Sequence, residues 1–179
     1  ALNRQDSYES GLDSAQSRLS TEESALMNSE NILQRIRELA VRAGNDTLGP
    51  ADRIVISQEV TSLRDELFSL ANSQDVNGNY VFAGADVQNP AFVAAADGSV
   101  TYQGDQNQTS IDVSDHRTLV INRAGDDVFS SVARPQADGD PVNIGFFTVI
   151  DDFADALTEN NSEAISRGLT EITSLTEGI

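Results

Sequence analysis

The side chains that could do chemistry in this chain are few, and they are not spaced to cooperate. There is one histidine, His116, and no cysteine. That excludes a thiolate nucleophile, a disulfide framework, a Cys-based metal site and any multi-histidine constellation. Carboxylates are abundant: 29 Asp and Glu stand against 11 basic residues, all of them Arg. Their clusters, Asp126-Asp127, Asp138-Gly139-Asp140 and Asp151-Asp152, lack the ligand spacing of a calcium loop and read as solvated turns. His116 reads as a turn residue. No Gly-rich phosphate loop and no G-x-S-x-G is present. No catalytic residue, metal ligand or cofactor site is expected, so the chain does not read as an enzyme. What does stand out is basic: Arg35, Arg37 and Arg42 cluster in an otherwise acidic chain. They are candidates for contact with a neighbouring subunit.

Charge narrows the partners. A net −18 repels nucleic acid and anionic lipid, so neither nucleic-acid binding nor membrane insertion is expected. The longest apolar runs, such as FFTVI, are far too short to span a bilayer. No basic-then-apolar secretory signal opens the chain. Helical patterning is already running at Ala1, which suggests an internal piece of a longer protein.

The Arg cluster lies on the longest periodic stretch. Leu12, Leu19, Leu26, Leu33 and Ala40 recur every seventh residue. Ala15, Ile36 and Ala43 fill the second heptad position, interrupted by Glu22 and Ser29. No Pro or Gly falls between Leu12 and Ala43, so the spacing predicts one helix over most of residues 2–43, about 60 Å long. Asn45-Asp46 and Gly49-Pro50 end it. A second helical stripe follows at once: Ile56, Val60, Leu63, Leu67 and Leu70. The short connection predicts an antiparallel helical hairpin.

From Asn77 the pattern turns to β. Asn77-Gly78 signals a turn and Tyr80-Val81-Phe82 a strand. Phe92-Val93, Asp97-Gly98 and Val100-Thr101-Tyr102 predict a hairpin with a two-residue turn. Ile111 and Val113 share a face of the next strand, Asp115-His116-Arg117 is a turn, and Leu119-Val120-Ile121 another strand. Residues 134–143, with Pro135, Gly139 and Pro141, read as a linker. Helix returns near residue 144, with Phe146, Phe147, Ile150, Phe153, Ala154 and Leu157 on one face. After Asn160-Asn161, Ile165, Leu169, Ile172, Leu175 and Ile179 continue the stripe. The expected fold class is α+β: an elongated helical bundle of residues 1–76 and 144–179, with residues 77–143 inserted as a small β domain and linker.

The stretch ILQRIRELAVRAGNDTLGPADRIVISQEVTSLRDELFSLANSQDVNGNYVFAGA, residues 32–85, resembles the flagellin superfamily. The likeness lies in an arginine-bearing helix, an Asn-containing turn, a second helix with an acid at Glu59, and an Asn-Gly turn opening β structure. NGNYVFAGA, NRAGDDVF (122–129) and FFTVIDDFADAL resemble its hook–filament junction branch. That resemblance implies an exported structural adaptor of the bacterial flagellum, delivered through the flagellar type III channel. It would join the hook, through hook-associated protein 1, to flagellin, and contact neighbouring copies of itself. An export chaperone is a further implied partner. The terminal coiled-coil segments of the family are not among these residues, so the isolated chain is expected to be monomeric. Glu59 joins Arg35, Arg37 and Arg42 as a subunit-contact candidate. The alternatives are a flagellin-type filament subunit and a secreted module whose β part binds a ligand.

Overall fold

The computed structural model describes residues 2–45, 47–114 and 117–179, the side chains of 2–4 and 113 apart. His116 and the turn expected around it lie outside the described residues. In chain order the elements are α1 (Leu2–Ala43), α2 (Pro50–Ala71), β1 (Phe92–Ala94), β2 (Val100–Tyr102), β3 (Ser110–Ser114), β4 (Arg117–Val120), α3 (Gly125–Val128), β5 (Val132–Arg134), β6 (Val142–Ile144), α4 (Phe146–Thr158) and α5 (Ser162–Gly178).

Four helices pack side by side, and their register can be read from named contacts. Arg35 of α1 reaches Glu59 of α2 at 2.8 Å. One turn from the bend, Arg53 of α2 donates to the carbonyl of Ala43. The two helices therefore run antiparallel. Phe68 meets Phe147, Arg64 meets Asp151 and Ser57 donates to the Ala154 carbonyl, so α4 runs antiparallel to α2. The turn at Asn160-Asn161 sends α5 back along α4, where the Asn161 side chain accepts from the Ala164 N–H as an N-cap. Gly168 lets the two helices approach closely: a Cβ there would lie 2.5 Å from the Phe153 ring. The result is an up-down-up-down bundle, with Leu33, Ile36, Val60, Leu67, Ile150, Leu157 and Ile172 sealed inside.

The seam of α1 departs from the expected leucine line. Leu33 and Ala40 are fully buried, but Leu12 and Leu19 remain 43% and 40% exposed. Ala15 is buried as its heptad position predicts, and Glu22 and Ser29 on the same line are buried too, together with Arg18 and Ala25. Their steps of three and four residues still describe a heptad seam. The physical reason is that α2 ends at Ala71, opposite the middle of α1. Beyond that point α1 packs on the insert, against β3 and, through Arg18, on the Val81 carbonyl.

The insert also differs from expectation. β1–β2 forms as predicted, but its Ala95 N–H bonds to the Ser99 carbonyl, leaving a three-residue loop. Gly98 takes φ of 86°, a value that suits glycine. Tyr80-Val81-Phe82 is not a strand: Val81 and Phe82 are buried against the bundle, and only isolated bridges, Gln74 with Tyr80 and Ala83 with Ala124, flank them. Asn77-Gly78 forms a turn, held by the Asp75 carboxylate accepting from the N–H groups of Asn77 and Asn79. β3 pairs with β4, with a register shift between Asp112 and Ser114. Residues 134–143 are not a linker: β5 and β6 pair through Val132–Ile144 and Arg134–Val142, and the Pro/Gly-rich stretch is their loop.

An aromatic cluster joins the insert to the end of the bundle. Phe129 stands edge-on to Phe82, Phe92 and Phe146 at 5.4, 5.6 and 5.2 Å between ring centroids. Phe92 meets Phe147 at 5.5 Å and Tyr102 at 5.2 Å. Edge-to-face contacts of this kind add to the apolar burial of the rings themselves. Bundle and insert thus share one continuous core.

Candidate subunit-contact surface

Arg35, Arg37 and Arg42 lie on the last two turns of α1 that face outward, and Glu59 lies on the facing edge of α2. The structure brings two of the four together. The Arg35 guanidinium donates through Nε to Glu59 at 2.9 Å and through Nη1 to Glu38 at 3.2 Å. Those hydrogen bonds, Glu59 first, hold the Arg35 proton more tightly than usual. Arg35 and Glu59 are roughly half exposed, at 48% and 41% of their side chains. Solvent screens an exposed pair of this kind, so its main effect is to fix orientation. Arg37 and Arg42 are exposed, with no side-chain partner among the described residues. At the same level of the hairpin Val41 and Val55 are 59% and 64% exposed.

Four other arginines, not singled out by the sequence, tie elements together. Arg53 is buried; it donates to the carbonyls of Ala43 and Asn45 and to the Asn160 side chain, so it locks both interhelical bends at one end of the bundle. Arg64 grips Asp151 through two nitrogens, at 2.9 and 3.0 Å, and donates to the Gly98 carbonyl. Its guanidinium also lies 5.5 Å from the Phe147 ring centroid. Arg134 of β5 binds Glu171 of α5 bidentately, at 2.6 and 2.8 Å, and Asp152 of α4 at 2.7 Å. Arg18 donates to the Val81 carbonyl at 2.8 Å. A signal existed for two of them: Arg53 and Arg64 continue the stripe of Ile56, Val60 and Leu67 at helical spacing, so they point into the bundle.

The cavities give no comparable organisation. An open groove of about 550 Å³ between α2 and β1 is lined by Phe68, Tyr80, Phe92 and Val93. Its Asn72 side chain is already committed to the N–H and C=O of Phe92. Among the described residues no group of three or more His, Asp or Glu side chains is placed to hold a metal ion. No described helix is long and apolar enough to cross a membrane.

Comparison with known proteins places this geometry. The family model for the bacterial flagellin N-terminal helical region matches residues 1–86. Flagellar hook-associated protein 3 of Salmonella typhimurium is 35% identical over 140 residues, 76% of this chain and 43% of the relative. Its Escherichia coli counterpart is 32% identical over 146 residues, 80% of this chain and 45% of the relative. The chain therefore spans less than half the length of these curated relatives. Among solved structures, Xanthomonas campestris FlgL superposes with a TM-score of 0.86 at 22% identity, covering 99% of this chain and 89% of that one. The flagellar junction protein FlgL of Legionella pneumophila gives 0.76 at 19% identity, covering 99% and 93%. Bacillus cereus flagellin gives 0.50 at 20% identity, covering 92% and 77%.

Proposed function

We propose that this chain, which matches the bacterial flagellin N-terminal helical region over residues 1–86 and resembles flagellar hook-associated protein 3, acts as a structural adaptor between the flagellar hook and the flagellin filament. The role is mechanical and non-catalytic. The observation that carries it is the likeness across insert as well as bundle. The chain as a whole superposes on Xanthomonas campestris FlgL with a TM-score of 0.86 over 99% of its length, against 0.50 over 92% on Bacillus cereus flagellin. The proposed neighbours are hook-associated protein 1 on the hook side, flagellin on the filament side and copies of the same protein around the ring. An export chaperone and passage through the flagellar type III channel belong to the same proposal. Of the four candidates Arg35, Arg37, Arg42 and Glu59, the proposed contact residues are Arg37 and Arg42, since Arg35 and Glu59 pair with each other. Arg37 and Arg42 have charges to spare for an acidic neighbour, while Arg35 and Glu59 stiffen the hairpin that presents them.

Complementation tests the role. The full-length protein containing this chain should restore filament attachment in cells lacking the junction protein. Restoration of filaments in flagellin-null cells, with no effect in junction-null cells, would instead identify a filament subunit.

A further inference from the structure

Where α1 leaves the bundle and passes under the insert, its buried seam carries two charges one helical turn apart. Arg18 and Glu22 are each 5% exposed. Neither is fully satisfied. Arg18 donates to the Val81 carbonyl from Nη2, but its Nε has no hydrogen-bond partner. Glu22 has Arg123 as an ion partner, at 3.8 Å, and its Oε2 is buried without a partner. Arg123 itself is 64% exposed, so solvent screens what it offers. A buried carboxylate with one orphaned oxygen is costly as an anion and much less so as a neutral acid.

We propose that Arg18 and Glu22 form a proton-controlled joint between α1 and the insert: protonation of Glu22 seats the insert, and ionisation loosens it. Ionised Glu22 can recover hydration only if the loops above it open. Those loops are the ones that Arg18 and Arg123 hold, around Val81 and just before α3. The two states are therefore a closed joint and a locally opened one, in an equilibrium of the kind native proteins sample without unfolding.

The charged groups facing Glu22 can be named from each packed element. On α1 they are Arg18 below it, and Glu23 and Glu30 along the same groove. The segment before α3 contributes Arg123, and α5 contributes the apolar side chain of Ile179. The turn after α2 contributes Asp75, which acts on Arg18. Burial pushes the Glu22 carboxyl up, against the smaller downward pull of Arg123 and Arg18. A folded-state value above the unfolded one means that the folded chain binds more protons. The associated stability is fully present below the unfolded value and is lost as pH rises through the folded one. Mild acid should therefore tighten the joint. Asp151, also pushed up by burial, acts in the same direction elsewhere in the bundle.

Amide hydrogen exchange of this chain reads the joint directly. The reporters are the Val81 N–H, which bonds to Ser73, and the Gly125 N–H, which bonds to Phe82. Protection factors at both should fall as pH rises through the folded-state value of Glu22, which burial holds above the ordinary carboxylate range. In E22Q the protection should be higher than wild type at the upper end, with only a shallow slope left. In R123Q, which removes the partial counter-charge, the midpoint of the wild-type transition should move to higher pH. An E22Q slope equal to that of wild type, or weaker protection than wild type at neutral pH, overturns the proposal. If E22Q does not fold, an unmoved R123Q midpoint overturns it equally.

Discussion

At the scale of single residues, the fully buried apolar positions and the paired arginines make opposite kinds of contribution. Leu33 is 0% exposed at the centre of the bundle. Leu33→Ala removes its transfer free energy and leaves a cavity, so urea unfolding should show a loss of about 2–5 kcal/mol. Arg134 is different, because its removal strands Glu171, whose side chain is 6% exposed. Arg167 is the nearest remaining cation, 4.0 Å away. Arg134→Ala should cost about 3–5 kcal/mol, mainly from the uncompensated buried carboxylate. The double variant Arg134→Met with Glu171→Met should recover most of that loss. If the double variant is no more stable than the single one, the network contributes net attraction rather than mutual neutralisation.

At the scale of elements, the helices and their pairing were legible because their signals are long and redundant. Heptad spacing, an uninterrupted run and the Gly49-Pro50 start of α2 all agree, and the contacts of Leu33 and Ile36 follow. The β insert was legible where a turn residue fixes it, as at Gly98, and not where tertiary packing decides. Val81 and Phe82 carry strand-forming side chains, yet the aromatic cluster takes them as core. The Pro/Gly stretch 135–141 was read as a linker because loop composition does not reveal that its ends pair. Burial of Arg18 and Glu22 was invisible for a related reason: the heptad pattern marks a seam but not which element covers it. We propose that residues 1–76 and 144–179 form a helical unit that carries 77–143 as an insert anchored through Phe82, Phe92 and Phe129. The β3–β4 hairpin is not part of that aromatic anchor: every side chain of β4 is exposed, and β3, which packs on α1, half-buries only Ile111 among its described side chains. Replacing residues 110–120 with a short Gly-containing turn should therefore shift the melting temperature by less than about 4 °C, the effect of roughly 1 kcal/mol in a chain of this size. A larger drop would mean that the hairpin contributes to the shared core.

At the scale of the whole molecule, shape and charge act together on assembly. A 42-residue helix is about 63 Å long at 1.5 Å per residue, while the bundle core occupies only its second half. Small-angle scattering should give a radius of gyration clearly above the roughly 16 Å of a compact chain of this length. The net −18 opposes close approach of two copies. At physiological ionic strength that repulsion is screened beyond about 8 Å, so contacts that match opposite charges locally remain possible. Exposed ion pairs are worth about 0–1 kcal/mol each, too little to drive association of isolated chains. The chain should therefore sediment as a monomer at micromolar concentration. In the assembly proposed for this chain such pairs would act under a different constraint, because neighbours held side by side need only a weak contact to select their register. Arg37 and Arg42 are the residues we propose for that task, being exposed and without a side-chain partner among the described residues. Arg35 is not, since Glu59 and Glu38 already engage it. Charge reversal at Arg37 and Arg42 together in the full-length protein should weaken filament attachment while leaving the melting temperature of the chain unchanged. Charge reversal at Arg35 should instead lower the melting temperature slightly, by loosening the α1–α2 hairpin. Normal attachment in the Arg37/Arg42 variant would make both residues ordinary solvated charges and move the search for the contact surface to the exposed valines beside them.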